Sequence, residues 1–371
     1  MMADDLMRAA VLDAPEAALR IEEIPTPEPG AGEVLVRVTA CGVCHTDLHV
    51  IKNEVAFPTP AVLGHEISGT VEALGTGVEE PAVGTPVVAS FIMPCGTCRY
   101  CARGRDDVCE RFFALNRLKG VLYDGNTRLH RQDGSPLWMY SMGGLAEYAV
   151  VPATDVFRLP EGLPREESAI LGCAVFTAYG AARHAADLRA GERVAVVAMG
   201  GVGSNIVQIA KAFGVSQIIA VDVVPEKLDA ARRLGATDVV NGAAEDPVAR
   251  VRDLTEGEGV DVAFEALGLS QTFVQAAEML RDGGRMVAVG IAPGKTTAPV
   301  EITRLVRRSQ RIIGSYGART RADMPEILSL SARGFFDPKQ MVTQKLSLEE
   351  VDSAYRALDR GEIVGRAVVV P

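Results

Sequence analysis

Cys95, Cys98, Cys101 and Cys109 fall in one short segment with the spacing C-x2-C-x2-C-x7-C. Four thiolates so placed can close a tetrahedron around zinc at about 2.3 Å per Zn–S bond, leaving no open position. Such a site stabilises a lobe that has too little core of its own. Compact iron–sulfur patterns place the fourth cysteine nearer and follow it with proline. Structural zinc is therefore the favoured reading, ahead of an iron–sulfur cluster or unligated thiols.

Three further candidate ligands are scattered. Cys44 lies in Cys41-Gly42-Val43-Cys44-His45-Thr46-Asp47, His65 in Gly64-His65-Glu66, and Cys173 in Leu171-Gly172-Cys173. Taken singly, each has an ordinary explanation: Cys41 and Cys44 as a redox pair, His65 as a satisfied turn histidine, Cys173 as a small buried hydrophobe. Taken together, two cysteines and one histidine leave a fourth position for water or substrate, the arrangement of a catalytic zinc.

A third pattern, Ala198-Met199-Gly200-Gly201-Val202-Gly203, follows an apolar strand and opens a helix. It matches the dinucleotide-binding fingerprint with Ala198 in place of the first glycine, a substitution that is tolerable where φ stays negative. Gly200 would let the backbone approach a pyrophosphate, and Gly203 would let helix and strand pack closely. The helix N-terminus at Gly201 and Val202 would offer free N–H groups to the phosphates. Asp222 ends the next strand about 20 residues on, where a carboxylate binds the adenosine ribose hydroxyls; its alternative role is to cap the following helix. Val223 and Val224 provide no arginine for a 2′-phosphate, which favours NAD over NADP.

The elements that must carry these groups change character along the chain. Glu33–Val38 alternates like a half-buried strand, Gly69–Leu74 is similar, and turn clusters such as Pro27-Glu28-Pro29-Gly30 separate such runs, so the first part is expected to be mostly β. Residues 91–144 form a cysteine-rich, turn-rich lobe, long enough that a metal or a function should organise it. Beyond about Val175, apolar strands (194–198, 218–221, 260–264, 285–289) alternate with amphipathic helices (to about Phe213, then 226–234 and 273–281). That alternation implies a parallel sheet covered on both faces. The tail after about Ala318 reads as helix, strand, helix (347–360) and strand (367–370).

The 371 residues suggest two domains, and 48% hydrophobic with 23% charged residues is ordinary for a globular protein. A net charge of −10 argues against non-specific nucleic-acid binding. The acidic start Met1-Met2-Ala3-Asp4-Asp5 does not read as a signal peptide, and no apolar run approaches the roughly 18 residues of a membrane span. A cytoplasmic address is expected, where clustered cysteines more often mean metal than disulfides. Seven is also an odd number of cysteines for a complete set of intrachain bridges.

With these segments in this order, and with Gly365-Arg366-Ala367-Val368 at the end, the sequence closely resembles the zinc-dependent medium-chain alcohol dehydrogenase family over almost its whole length. The resemblance implies an α/β fold: a Rossmann doubly wound parallel sheet (175–317, NAD-binding) and a mostly β, GroES-like catalytic domain (1–174, completed by 318–371) with its zinc lobe. It implies two zinc ions per chain, Cys44, His65 and Cys173 holding the catalytic one and Cys95, Cys98, Cys101 and Cys109 the structural one. Glu66 and Asp47 would surround the catalytic metal, with Asp47 orienting His65. Thr46 would accept the substrate hydroxyl proton and His49 would pass it on through the nicotinamide ribose to solvent.

His45 and Arg366 would contact the pyrophosphate, Thr177 and Ile291 would lie at the nicotinamide, and Asp222 and Lys227 would hold the adenosine ribose. The implied reaction is hydride transfer between NAD(H) and a primary alcohol/aldehyde pair. Phe91, Trp138, Met139 and Tyr140, with Ile291, are candidate walls of an apolar substrate cleft. His45 stands where many relatives carry arginine, which gives a weaker, pH-sensitive phosphate contact. The stretch 116–140 resembles the long loop of the dimeric branch, so a homodimer is preferred to a homotetramer. No arginine stands convincingly where the glutathione-dependent formaldehyde branch would grip its substrate. Polyol enzymes commonly carry glutamate where Cys173 stands, which leaves a polyol or secondary-alcohol dehydrogenase behind the primary-alcohol reading. A non-catalytic NAD-binding zinc scaffold is the reading from another class; two zincs per chain fit the enzyme and one fits the scaffold.

Overall fold

The computed structural model of the chain describes residues 6–371, so the acidic start at Met1–Asp5 lies outside the described residues. Two compact units are present: residues up to Cys173 together with Arg319–Pro371, and Ala174–Ala318.

In the first unit, a β-sheet runs in the order Val156–Arg158, Pro86–Ala89, Ile67–Leu74, Glu33–Gly42, Arg366–Val370, Val342–Ser347, and Tyr148–Pro152 also pairs with Glu33–Gly42. The alternation of Glu33–Val38 predicts one wet face, yet Val34, Leu35 and Val36 are all buried and Arg37 alone of Glu33–Val38 is exposed. The reason is position: this strand pairs on both sides, with irregular register at Leu35/Val36 and Val38/Ala40 that turns successive side chains into the core. A second sheet joins Leu6–Leu12, Arg20–Pro25 and Ala61–Val62 to two strands inside the cysteine-rich stretch, Pro136–Met139 and Leu129–His130. Four- and two-residue strands carry too little periodicity to be read from sequence.

Between them the lobe consists of single turns, Cys101–Arg103 and Asp106–Val108, and a π-helical stretch, Phe112–Arg117. A fork of Arg321 on buried Asp106, with Nη2–Oδ1 at 2.7 Å, and a 2.7 Å bond from Arg321 to the Cys101 carbonyl tie the lobe to the helix Thr320–Ala332.

The second unit is built on six parallel strands in the order Asp238–Asn241, Gln217–Asp222, Arg193–Val197, Val260–Glu265, Leu280–Ala288, Arg311–Gly314. In chain order this is 3-2-1-4-5-6, the doubly wound arrangement, in which ligands bind beyond the carboxyl ends of the strands where the order reverses. Val194–Val197 and Ile218–Val221 are continuous buried apolar runs, as expected of a sheet covered on both faces, and Val260–Glu265 is buried throughout although it carries Asp261 and Glu265. The outer strands Asp238–Asn241 and Arg311–Gly314 and the helices Pro247–Leu254 and Ile302–Arg307 are short and partly exposed, and the sequence signals none of them. The helix expected to reach Arg281 ends at Glu278, because Leu280 already pairs with Val260. The helix expected over 347–360 is Val351–Asp359, preceded by a capping box between Ser347 and Glu350. Among the described residues, no helix is long and apolar enough to cross a membrane.

Candidate metal centres and cofactor turn

The sulfurs of Cys95, Cys98, Cys101 and Cys109 all lie within 4.8 Å of one another. Cys98 and Cys109 are 4.0 Å apart, close to the roughly 3.8 Å edge of a tetrahedron with 2.3 Å Zn–S bonds and twice a disulfide length. Backbone N–H groups are aimed at the sulfurs: Cys98 and Cys101 donate to Cys95 and Cys98 at 3.3 and 3.5 Å, and Cys95 donates to Cys109 at 3.3 Å. Burial pushes the Cys98 thiol up, but the backbone amides of Cys101, Glu110 and Tyr100, with the Cys101 thiol, outweigh it and bring it down to about 6. The donor set and its geometry fit zinc.

The second cluster draws on three places. Cys44 ends the loop after Glu33–Gly42 and precedes the helix His45–Ile51; His65 and Glu66 stand just before Ile67–Leu74; Cys173 follows the turn Glu167–Gly172. One donor atom from each of Cys44, His65, Glu66 and Cys173 lies within 4.8 Å of all the others, and all four residues are buried. Gly42 makes room for this: a Cβ there would stand 2.2 Å from a Glu66 carboxylate oxygen.

Asp47 accepts from the His65 Nδ1 side at 3.0 Å and from the Gly64 N–H at 3.1 Å, which fixes the ring with Nε2 turned away. That Nε2 and Glu66 Oε2 are buried without a hydrogen-bond partner among the described residues, a costly state for polar atoms unless a ligand satisfies them. The bond from Cys173 holds the Cys44 thiol well below its usual range, and the same bond, with burial, pushes Cys173 up. One negative charge is thus shared by two sulfurs, and a divalent cation drawing both as thiolates would release the second proton. Burial raises Glu66 to about 7 against the pull of Arg366, whose guanidinium donates to its Oε1. The unpartnered nitrogen and the two thiols fit a zinc centre that Cys44, His65 and Cys173 would hold, with the Glu66 carboxylate beside them.

In the other unit, the turn after Arg193–Val197 shows what its glycines are for. A Cβ on Gly203 would sit 1.9 Å from the Ala198 carbonyl oxygen, whereas nothing lies within 4 Å of one on Gly200. Gly203 serves close packing, and Gly200 faces open space that a pyrophosphate can use. Asp222 Oδ2 accepts from the Met199 N–H at 2.6 Å, and Oδ1 from Val223 and Val224 at 2.8 and 2.9 Å. Its carboxylate therefore orders both the fingerprint turn and the entry to the helix Pro225–Leu234.

Ala198 departs from the expectation of negative φ: it adopts φ 77°. The turn must reverse as soon as the strand ends, and the Asp222–Met199 bond together with the Ala198 N–H to Val221 O bond at 2.8 Å holds it there. A non-glycine residue in this region costs about 1–2 kcal/mol. Ala198→Gly is expected to stabilise the chain by about 0.5–1 kcal/mol after glycine's own chain-entropy cost. Urea unfolding measures this, and equal or lower stability would show that Ala198 is not strained.

Models of known families match both units: the alcohol dehydrogenase GroES-like domain over residues 30–161 and the zinc-binding dehydrogenase domain over 201–333. An NDMA-dependent alcohol dehydrogenase of Amycolatopsis methanolica is 35% identical, covering 98% of each chain. An S-(hydroxymethyl)glutathione dehydrogenase of Escherichia coli is 33% identical over 96% of this chain and 98% of its own. The crystal structure of benzyl alcohol dehydrogenase from Acinetobacter calcoaceticus superposes with a TM-score of 0.92 at 32% identity, covering 98% of this chain and 99% of that one. The chain belongs to the zinc-dependent medium-chain alcohol dehydrogenase family. It is an oxidoreductase with the family's α/β fold.

As a medium-chain dehydrogenase, the chain brings some expected residues to the buried cluster and not others. The Thr46 hydroxyl lies 3.6 Å from the Cys44 sulfur. Arg366 is buried on Glu66, His45 is exposed at the first position of its helix, and His49 pairs with Glu54. Of the candidate pocket walls, Phe91 and Tyr140 face His65, both with ring centroids 6.1 Å away. Met139 and Trp138 are strand residues paired with Val62 and Ala61, and the Met139 sulfur accepts the Arg128 N–H at 3.3 Å. In the other unit, Thr177 is buried, and Lys227 and Ile291 are half-buried. Two residues went unread from sequence: Tyr355, whose hydroxyl donates to Asp47 at 2.8 Å, and Phe57, edge-on to Tyr140 at 4.8 Å. A buried tyrosine on the apolar face of the last helix was the available signal for Tyr355; Phe57 had none.

Proposed function

We propose that this chain transfers hydride between NAD(H) and a primary alcohol/aldehyde pair, using zinc held by Cys44, His65 and Cys173. The observation that carries the reading is the buried, partnerless His65 Nε2 between two thiols, with Phe91 and Tyr140 against its ring. Bound there, zinc supplies a Lewis acid that eases deprotonation of an alcohol and polarises an aldehyde carbonyl. NAD supplies the hydride acceptor, or NADH the donor.

This chain's residues do the rest. Asp47 fixes the ring of His65 and is itself fixed by Tyr355. Thr46 takes the proton of the substrate hydroxyl, and His49 carries it outward. Phe91 and Tyr140 exclude water and favour an aliphatic or aromatic substituent on the reacting carbon. Cys95, Cys98, Cys101 and Cys109 hold a second zinc that shapes the lobe. The Gly200–Gly203 turn receives the pyrophosphate; Asp222 and Lys227 receive the adenosine ribose; and Thr177 and Ile291 lie at the nicotinamide. The exposed Val223 beside Asp222 supports NAD over NADP.

A homodimer is supported by the outer strand Arg311–Gly314, whose far edge is unpaired among the described residues, and by the exposed Ile302 and Val306 just before it. The address we infer is cytoplasmic. An absorbance screen for NADH over primary alcohols, secondary alcohols, polyols, aldehydes and S-(hydroxymethyl)glutathione tests the reading. Primary alcohols and aldehydes are expected to turn over best. Preference for polyols would overturn the substrate class, and turnover only when NDMA is added would overturn free exchange of NAD(H). No turnover by zinc-replete protein would favour a non-catalytic scaffold.

A further inference from the structure

The helix His45–Ile51 ends in a reversal: Asn53 takes φ 58°, and the N–H groups of Glu54 and Val55 both return to the His49 carbonyl, at 2.8 and 3.1 Å. The reversal lays the Glu54 carboxylate on the His49 ring, with Oε2 2.5 Å from Nδ1. The other oxygen, Oε1, faces Lys52 Nζ at 3.4 Å, and Lys52 is also held by Asp359, from the helix Val351–Asp359, at 2.9 Å. His49 and Glu54 are both partly exposed. The bond from His49, with Lys52 adding and burial opposing, holds the Glu54 carboxyl below its usual range.

An ionised carboxylate only accepts hydrogen bonds, so the ring nitrogen against it must carry the hydrogen. We propose that Glu54 is the positioning residue of the proton route: it holds His49 in the Nδ1–H form, leaves Nε2 as the basic atom, and balances the charge of the imidazolium. The proposal rests on the reading of His49 as the outward proton carrier. A proton arriving at Nε2 makes an imidazolium whose Nδ1–H stays on Glu54 in a charge-assisted bond. Nε2 then releases that proton to water and the ring returns to its starting tautomer; Glu54 is never protonated. Lys52, shared with Asp359, takes part of the carboxylate's charge and so limits how far Glu54 stabilises the cation. A carboxylate that merely staples the end of the helix would not set the tautomer of His49.

The test uses zinc-replete, full-length protein with 15N-labelled histidine, five residues in all, and His49→Gln to assign the His49 signals. Glu54→Gln keeps an acceptor oxygen and removes the charge; Glu54→Asp keeps the charge. Glu54→Gln is expected to admit the Nε2–H tautomer, because a neutral amide can donate to Nδ1 as well as accept from it. The kcat/KM for alcohol oxidation should fall with the share of that tautomer, and Glu54→Asp should restore most of both. An unchanged tautomer in Glu54→Gln, with a kcat/KM that His49→Gln lowers, overturns the role of Glu54 alone. Full kcat/KM in His49→Gln overturns the proposal together with the reading of His49 beneath it.

Discussion

Cys44→Ser is expected to lower turnover by about 10³-fold or more while the fold survives. Serine offers no thiolate at neutral pH, so the cluster would keep one sulfur, one imidazole and a carboxylate, a poorer set for zinc. Losing a metal that stabilises developing oxygen charge removes several kcal/mol from the transition state, and about 4 kcal/mol is about 10³-fold. The packing has little reason to fail. Serine is smaller than cysteine, the Glu66–Arg366 pair remains, and Asp47 keeps His65, Gly64 and Tyr355 as partners. NADH absorbance together with circular dichroism checks both halves. Full activity in Cys44→Ser would remove the cluster from the chemistry.

Cys109→Ser is expected to do the opposite: strong loss of stability, with chemistry affected only through the fold. Cys109 is fully buried, accepts the Cys95 N–H and stands 4.0 Å from the Cys98 sulfur. The segment around it has only single turns and one short π-helical stretch, so few contacts replace a lost metal. Structural zinc contributes roughly 10–16 kcal/mol in isolated finger peptides. Here the Arg321–Asp106 fork and buried Phe112 retain part of the order, and a loss on the order of 5 kcal/mol is expected, a large share of a typical 5–15 kcal/mol. At about 2–4 °C per kcal/mol this lowers Tm by 10 °C or more, against a few degrees for Cys44→Ser. Limited proteolysis should then cut first within residues 95–117. Equal Tm values for the two variants would contradict the division of labour between the clusters.

The two clusters were not equally legible. The four-cysteine set is local, so its spacing alone suggests a closed tetrahedron. Cys44, His65 and Cys173 come from separate loops, and only the whole pattern of segments makes them a group. Glu66 was readable as a neighbour of the metal, but its place among the four donors depends on Gly42 leaving room for its side chain, which sequence does not display. The doubly wound sheet was legible because Val194–Val197 and Ile218–Val221 are uninterrupted apolar runs and strands alternate with amphipathic helices. Its outer strands, four residues each and partly exposed, lack that signature.

Outside that pattern, contacts across long separations were not legible. Tyr355 reaches Asp47 over 308 positions, and nothing in either segment names the other. Glu54 is near His49 in sequence, yet the contact depends on Asn53 adopting a left-handed conformation. Ala198 shows the same limit in the other direction. An alanine in the fingerprint invites the assumption of negative φ, but the geometry of the turn overrides the preference of the residue.

The central claim is that two zinc centres with different duties share this chain. Zinc per chain in purified, extensively dialysed wild-type and Cys44→Ser protein tests it most directly. Two zinc ions in the wild type and one in the variant are predicted. One in the wild type, or two retained in Cys44→Ser, would contradict the assignment of Cys44, His65 and Cys173 as the reactive centre.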